Sequence, residues 1–303
     1  MFPSSALMKI DTATALPPYG APSAALTVEA LADGHKEEVL QFLSSRPVHT
    51  VVMAGFIRDN GLASPLNRGT FYGCRDEEGR LVGVALIGHA TLVETESDDA
   101  LAAFARIARE CPRTHVMMGE QEKIERFWGH YAEGERSPRL ICRELLMEQR
   151  WPVEVREAVP ALRLATPDDL QQVMVVQGQM AFEESGVNPM ESDPEGFRRR
   201  CLRRIEQGRV WVWVEDGRLI FKADIISDTP DVIYVEGVWV APEERGQGYG
   251  LRCLSQLSRD LLARVGAVTL MVNEKAPGAI ALYRRAGYKL CSYYDTIYLH
   301  TEH

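Results

Sequence analysis

The sequence predicts an α/β protein built from two successive units, and three observations carry that expectation. Its 303 residues suit two domains of ordinary size. A turn in the first half, Glu78-Gly79-Arg80-Leu81, returns 138 positions later as Asp216-Gly217-Arg218-Leu219. After that turn, each half continues with a further strand, a helix, an apolar strand and another helix, the signature of one duplicated unit.

The elements follow from local patterns. Residues 1–25 mix Pro3, Pro17, Pro18, Gly20 and Pro22 with Ser, Thr and Ala, which suits a loosely held arm. A first unit is expected over residues 26–150. It opens with a helix at 36–43, then strands at 71–74 and 81–87 around the turn Asp76-Glu77-Glu78-Gly79. A strand at 91–93, an amphipathic helix at 98–108, an apolar strand at 115–118 and a helix at 121–131 come next, and the apolar run 140–147 closes the unit. Pro152 and Pro160 among alternating charges mark residues 151–160 as a linker.

The second unit is expected over 161–303. A short strand at 162–164 precedes Thr166-Pro167-Asp168-Asp169, a helix start with a capping hydroxyl, proline at the first helical position and acids facing the dipole. A helix at 194–205 follows, and then the segments 209–214 and 219–226 alternate around Asp216-Gly217 as a hairpin. Residues 232–240 make the next strand. Leu251, Leu254, Leu257, Leu261, Leu262 and Val265 recur at helical spacing, with Gly266 expected as a left-handed stop.

Composition excludes several functions. With 46% hydrophobic and 25% charged residues, the chain can bury a core and is not a disordered segment. The net charge is −9, both halves are acidic and no basic run occurs, so no nucleic-acid partner is expected. Six scattered cysteines without a C-x-x-C pair argue against a zinc cluster or a disulfide framework and read as reduced thiols. His35, His49, His89, His115 and His130 show no metal spacing, and no metal is assigned. No apolar run approaches the ~20 residues of a membrane span, and the start lacks a cationic stretch followed by a hydrophobic one, so no membrane association and a cytoplasmic location are expected.

The chemistry concentrates in Tyr234-Val-Glu-Gly-Val-Trp-Val-Ala-Pro-Glu-Glu-Arg245-Gly246-Gln247-Gly248-Tyr249-Gly250, where a strand runs through a glycine-rich loop into a helix. Alternating glycines let backbone N–H groups converge on an anion, and the positive end of the helix dipole favours negative charge. A plain tight turn is the other reading of Gly246, Gly248 and Gly250. The spacing is neither the G-x-G-x-x-G of dinucleotide sites nor the G-x-x-x-x-G-K-[ST] of nucleoside-triphosphate loops.

Instead, R-G-x-G-x-G, with Pro242 three residues before Arg245, resembles the acyl-coenzyme A loop of the GNAT N-acetyltransferase superfamily. Leu270-Met-Val-Asn273 and Ala279-Ile-Ala-Leu-Tyr283-Arg-Arg-Ala-Gly287-Tyr288 resemble the family's next strand and second cofactor-contacting helix. The resemblance implies tandem GNAT-like folds, each a mixed, mostly antiparallel twisted sheet flanked by helices. It implies acetyl-CoA as co-substrate and a primary amine, in a small molecule or a peptide, as acceptor. A non-catalytic acyl-CoA sensor and an N-acyltransferase of longer chains are the other readings. The first half carries Glu94-Thr-Glu96-Ser-Asp98-Asp99 where the second has its loop; carboxylates there repel a pyrophosphate, so this half is expected to keep the fold without the cofactor. Val116-Met-Met-Gly119-Glu and Phe127-Trp128 resemble, more loosely, the amino-terminal domain of bacterial tandem GNAT proteins.

Carried over residue by residue, the resemblance assigns Arg245, Gly246, Gln247, Gly248, Tyr249 and Gly250 to the cofactor, together with the backbones of Val238 and Val240. It makes Tyr283 the general acid near the cofactor sulfur, against a reading as helical aromatic packing. Glu236 shares face parity with Val238 and Val240 under period two. By resemblance it takes the amine proton directly or through water, and a strand-edge charge paired with an arginine is the alternative. Asn273 either contacts the pantetheine arm or holds the strand end; many relatives carry another asparagine where this chain has Ala276. Glu183 and Glu184 either face the acceptor or form a solvated surface pair, and Trp211 and Trp213 read as sheet residues.

Overall fold

Twelve strands join in one continuous sheet in the computed structural model, whose described residues are 26–133, 136–154 and 156–300. The arm expected over 1–25 lies outside them. The first half supplies β1 (Thr27–Ala30), α1 (Lys36–Leu43), α2 (Pro47–Asn60), β2 (Gly69–Arg75), β3 (Leu81–Gly88), β4 (Ala90–Thr95), α3 (Asp98–Glu110), β5 (Val116–Glu120), α4 (Gln121–Ala132) and β6 (Leu140–Gln149). The second supplies β7 (Leu162–Leu164), α5 (Leu170–Ser185), α6 (Pro189–Ser192), α7 (Pro194–Glu206), β8 (Val210–Glu215), β9 (Arg218–Asp228), β10 (Val232–Val240), α8 (Tyr249–Leu262), β11 (Ala267–Asn273), α9 (Pro277–Ala286) and β12 (Lys289–Tyr298). Apart from the one-turn α6, the order of elements is the same in both halves, and each half is a mixed, mostly antiparallel sheet flanked by helices.

The strand order is β1-β2-β3-β4-β5-β12-β6-β11-β10-β9-β8-β7. Each half therefore lends its last strand to the other. β6 pairs with β11 from Val268–Gln149 to Asn273–Glu144, while β12 pairs with β5 from Tyr294–Glu120 to Tyr298–Val116. A fragment of residues 161–303 alone would lack β6 and leave the β11 backbone without its partner, a long unpaired edge. We expect that fragment to aggregate or stay unfolded on its own and to fold when co-expressed with residues 26–150, as read by circular dichroism and gel filtration.

One parallel pair occurs in each half, bridged by a crossover helix. β10 and β11 pair from Val232–Ala267 to Tyr234–Thr269 and then part. β4 and β5 do the same from Ala90–Val116 to Leu92–Met118. Behind the parting of β10 and β11, α8 buries Leu251, Leu254, Leu257 and Leu261 against Ile233, Val235, Val268 and Leu270. This helix ends at Leu262 with Ala263 still right-handed, earlier than the expected stop at Gly266. The amides of Ala263 and Arg264 already bond Arg259 and Leu261, and the Gly266 amide goes instead to the Asp231 carbonyl at 3.0 Å, so no left-handed residue is needed there.

Helix α2, which the sequence pattern does not mark, bridges the halves. Its Met53 and Ile57 pack with Val39, Leu43 and Phe71, whereas Val48 and Val51 pack with Leu146, Tyr234 and Ala267. At its end Asp59 accepts from Arg209 at 2.7 Å and Asn60 from Arg203 at 2.7 Å.

Candidate active site

The site begins where β10 leaves β11. Glu236 sits opposite Asp224 on β9, but Trp239 sits opposite Lys222, so β10 carries one extra residue between them. Gly237 makes this bulge possible by adopting φ +61°. Beneath it lies Lys222, fully buried, donating to Gln177 Oε1 at 2.7 Å and lying 2.8 Å from Asp224 Oδ1 and 3.4 Å from the Gly237 carbonyl oxygen. Arg204 bonds the other oxygen of Asp224 at 3.0 Å.

That bulge corrects the expected face parity of Glu236. Val235, Val238 and Val240 pack on the α8 side, whereas Trp239 packs with the α5 and α7 cluster. Glu236 lies on the latter face, away from Val238 and Val240. Replacing Lys222 by methionine should destabilise the protein by about 3 kcal/mol, since breaking a buried ion pair strands its partners. It should also lower kcat as the bulge relaxes. Denaturant unfolding and steady-state kinetics measure the two effects.

The loop after β10 has the form of an anion cradle. Gly246 and Gly248 hold φ of +81° and +84°, and Gly248 is the residue before α8. Among the described residues, the backbone amides from Gly246 to Leu251 donate to no protein acceptor, which leaves them free at the helix N-terminus. Gly250 must stay small, because a Cβ there would lie 2.9 Å from Val240 Cγ2. Arg245 Nε donates to the Val240 carbonyl at 3.1 Å and Gln247 Nε2 to Glu244 at 2.9 Å, which pins the loop from both sides. Tyr249 packs edge-on against Trp213 at 4.9 Å. These features fit the pyrophosphate of coenzyme A, while the parting of β10 from β11 leaves the backbone around Val238 without a β11 partner.

The corresponding position in the first half is built differently. Ser97 caps α3 by accepting from the Ala100 amide at 3.2 Å. Glu94 is buried and held by Arg46 at 2.9 Å and Lys123 at 3.0 Å.

Glu236 itself is exposed on β10 and is surrounded by other charged side chains of the site. Loss of bulk solvation is the first cause that pushes its carboxyl up to about 7, and the charge of Glu184 adds to it; Arg204 and Lys222 act the other way. Glu184 accepts from the Tyr298 hydroxyl at 3.0 Å and so faces the site, whereas Glu183 bonds Gln179 along the exposed side of α5. Sequence reasoning missed Glu144 on β6. Thr296 Oγ1 donates to it at 2.6 Å, and desolvation first, then Glu184 and Glu236, push its carboxyl up to about 7. The one signal in the sequence is an acid inside the apolar run 140–147.

Tyr283, on α9, is buried against Tyr288 with ring centroids 6.1 Å apart. Burial raises its phenol well above the usual range, so it holds its proton at neutral pH. Asn273 accepts from the Lys275 amide at 2.9 Å, closing the turn after β11. Trp213 is a buried core residue and Trp211 packs at its margin. Among the described residues, no group of three or more His, Cys, Asp or Glu side chains is arranged to hold a metal ion. No helix of the described residues is long and apolar enough to cross a membrane.

Comparison with known proteins agrees with this geometry. Residues 178–288 match the model of the acetyltransferase (GNAT) family. A GNAT-family acetyltransferase from Colwellia psychrerythraea superposes with a TM-score of 0.57 at 11% identity, covering 91% of this chain and 100% of its own. A GCN5-related N-acetyltransferase from Sphaerobacter thermophilus gives 0.56 at 14% identity, covering 90% and 94%. A tandem GNAT protein from the clavulanic acid biosynthesis pathway gives 0.55 at 14% identity, covering 92% and 99%. At these identities the likeness is one of fold. No curated protein matches the chain.

Proposed function

From the premise that this chain carries a GNAT-family domain at residues 178–288 within a tandem GNAT fold, we propose that it is an acetyl-CoA-dependent N-acetyltransferase acting on a primary amine. The observation that carries the reading is the row of unsatisfied amides from Gly246 to Leu251 beside the parting of β10 and β11. When bound there, acetyl-CoA supplies an activated thioester. The loop amides and the α8 dipole hold its diphosphate, and the free backbone near Val238 and Val240 lines the way to the cleft. Glu236 receives the proton that the amine must lose, and its raised affinity for protons suits that task near neutral pH. Tyr283 keeps a proton on its hydroxyl for the departing sulfur.

Released thiol, followed with acetyl-CoA and a panel of amines, tests the proposal. Turnover with at least one amine supports it; tight acetyl-CoA binding without turnover on any amine would leave a sensor. Tyr283→Phe should cut kcat about 100-fold with the KM for acetyl-CoA unchanged, the range expected for one general acid. Full turnover in that variant would remove the acid role from Tyr283.

A further inference from the structure

The two halves offer an internal comparison at the acceptor side of the cleft. Counted from the parallel pairs, Glu94 in the first half occupies the position of Glu236 in the second, since Leu92 pairs with Met118 where Tyr234 pairs with Thr269. Glu94 is neutralised by cations of the chain itself, Arg46 and Lys123. Among the described residues Glu236 forms no ion pair: Arg204 and Lys222 act on its charge but are paired with Asp224, so no cation of this half bonds Glu236 as Arg46 and Lys123 bond Glu94.

Glu144 lies on β6, one strand beyond β11 from the β10 that carries Glu236, and the charge of Glu236 acts on it. It pairs with Asn273 on β11 and with Tyr294 on β12. Leu146, two residues along β6, packs in the same cluster as Tyr234, which is two residues before Glu236. Period two therefore puts both carboxylates on one face of the sheet, with β11 between their strands. Thr296 occupies one oxygen of Glu144, and no other hydrogen bond or ion pair to this carboxylate occurs among the described residues.

We propose that Glu144, carried into the catalytic half by the exchanged strand β6, binds the acceptor's ammonium group opposite Glu236, so that both halves build the acceptor site. This rests on the transferase reading above. The acceptor enters as the cation that Arg46 and Lys123 supply in the first half, and its ammonium proton passes to Glu236 when the amine reacts. The groups facing Glu144 are Glu236 and Tyr234 from β10, Glu184 from α5, Asp295 and Tyr298 from β12, and Cys142 from its own strand.

Glu144→Gln tests the assignment, because glutamine keeps an acceptor for Thr296 and loses only the charge. Its KM for the best amine should rise at least 10-fold while the KM for acetyl-CoA stays unchanged. The acid limb of the kcat/KM profile should also move to lower pH, because Glu236 loses a like charge. Unchanged amine KM and an unchanged pH profile would overturn the inference, since a structural role alone predicts that result. Should the wild-type chain turn over no amine, the transferase reading fails by itself, and carboxyl NMR of glutamate-labelled protein decides the present point. Added 1,4-diaminobutane should lower the titration midpoint of Glu236 in the wild type and do so less in Glu144→Gln; an equal response or none in the two proteins would overturn it.

Discussion

Changing Gly248 to valine should weaken acetyl-CoA binding by more than 100-fold while leaving the protein folded. A Cβ at this position meets nothing within 4 Å, so no packing is disturbed. The backbone, however, holds φ at +84°, where a β-branched residue is strained by about 1–3 kcal/mol. The loop escapes that strain by turning its amides away from convergence, and the anion loses several donors at once. Calorimetric titration reads the affinity, and a thermal melt within a few degrees of wild type shows that the loss is local. An unaltered affinity would mean that the loop does not hold the cofactor.

Glu236→Gln should have two effects of opposite sign. Activity should fall about 100-fold or more, the lower range for a general base, and the acid limb of kcat/KM near pH 7 should give way to the titration of the amine alone. Stability should rise at alkaline pH. The Glu236 carboxyl binds its proton more tightly in the folded protein than in the unfolded chain. Folding is therefore penalised progressively as pH rises from the unfolded value near 4.3 through about 7, and the penalty is complete above it. Glutamine removes the penalty, so the variant should melt above wild type at pH 8 and alongside it at pH 4. Equal melting at both values and an unchanged pH profile would show that Glu236 is a solvated strand-edge charge.

How far the sequence revealed the site depended on the distance over which each feature is encoded. The glycine loop is written in six consecutive residues, Arg245 to Gly250, and its geometry follows from glycine conformation and one helix start. The identity of Glu236 was legible in the same stretch, but its direction was not. A period-two reading assumes an unbroken ladder, and the bulge at Gly237 is held by Lys222 and Asp224 from β9. Glu144 was hidden by topology, because nothing local to β6 says that it leaves its own half to pair with β11. Helix α2 escaped for a related reason. It buries residues against both halves, so its apolar positions form no single stripe.

The same duplication allows the two halves to differ in the roles proposed for them. The first half caps α3 with Ser97 and neutralises Glu94 internally. Among the described residues, the second leaves both the amides of its loop and the carboxylate of Glu236 without a hydrogen-bond or ion-pair partner. Function in this reading resides in what the second half leaves unsatisfied.

Calorimetric titration of the full chain with acetyl-CoA, and in parallel with coenzyme A, tests that claim most directly. One site per chain is expected for each ligand. No binding, or two sites per chain, would contradict it.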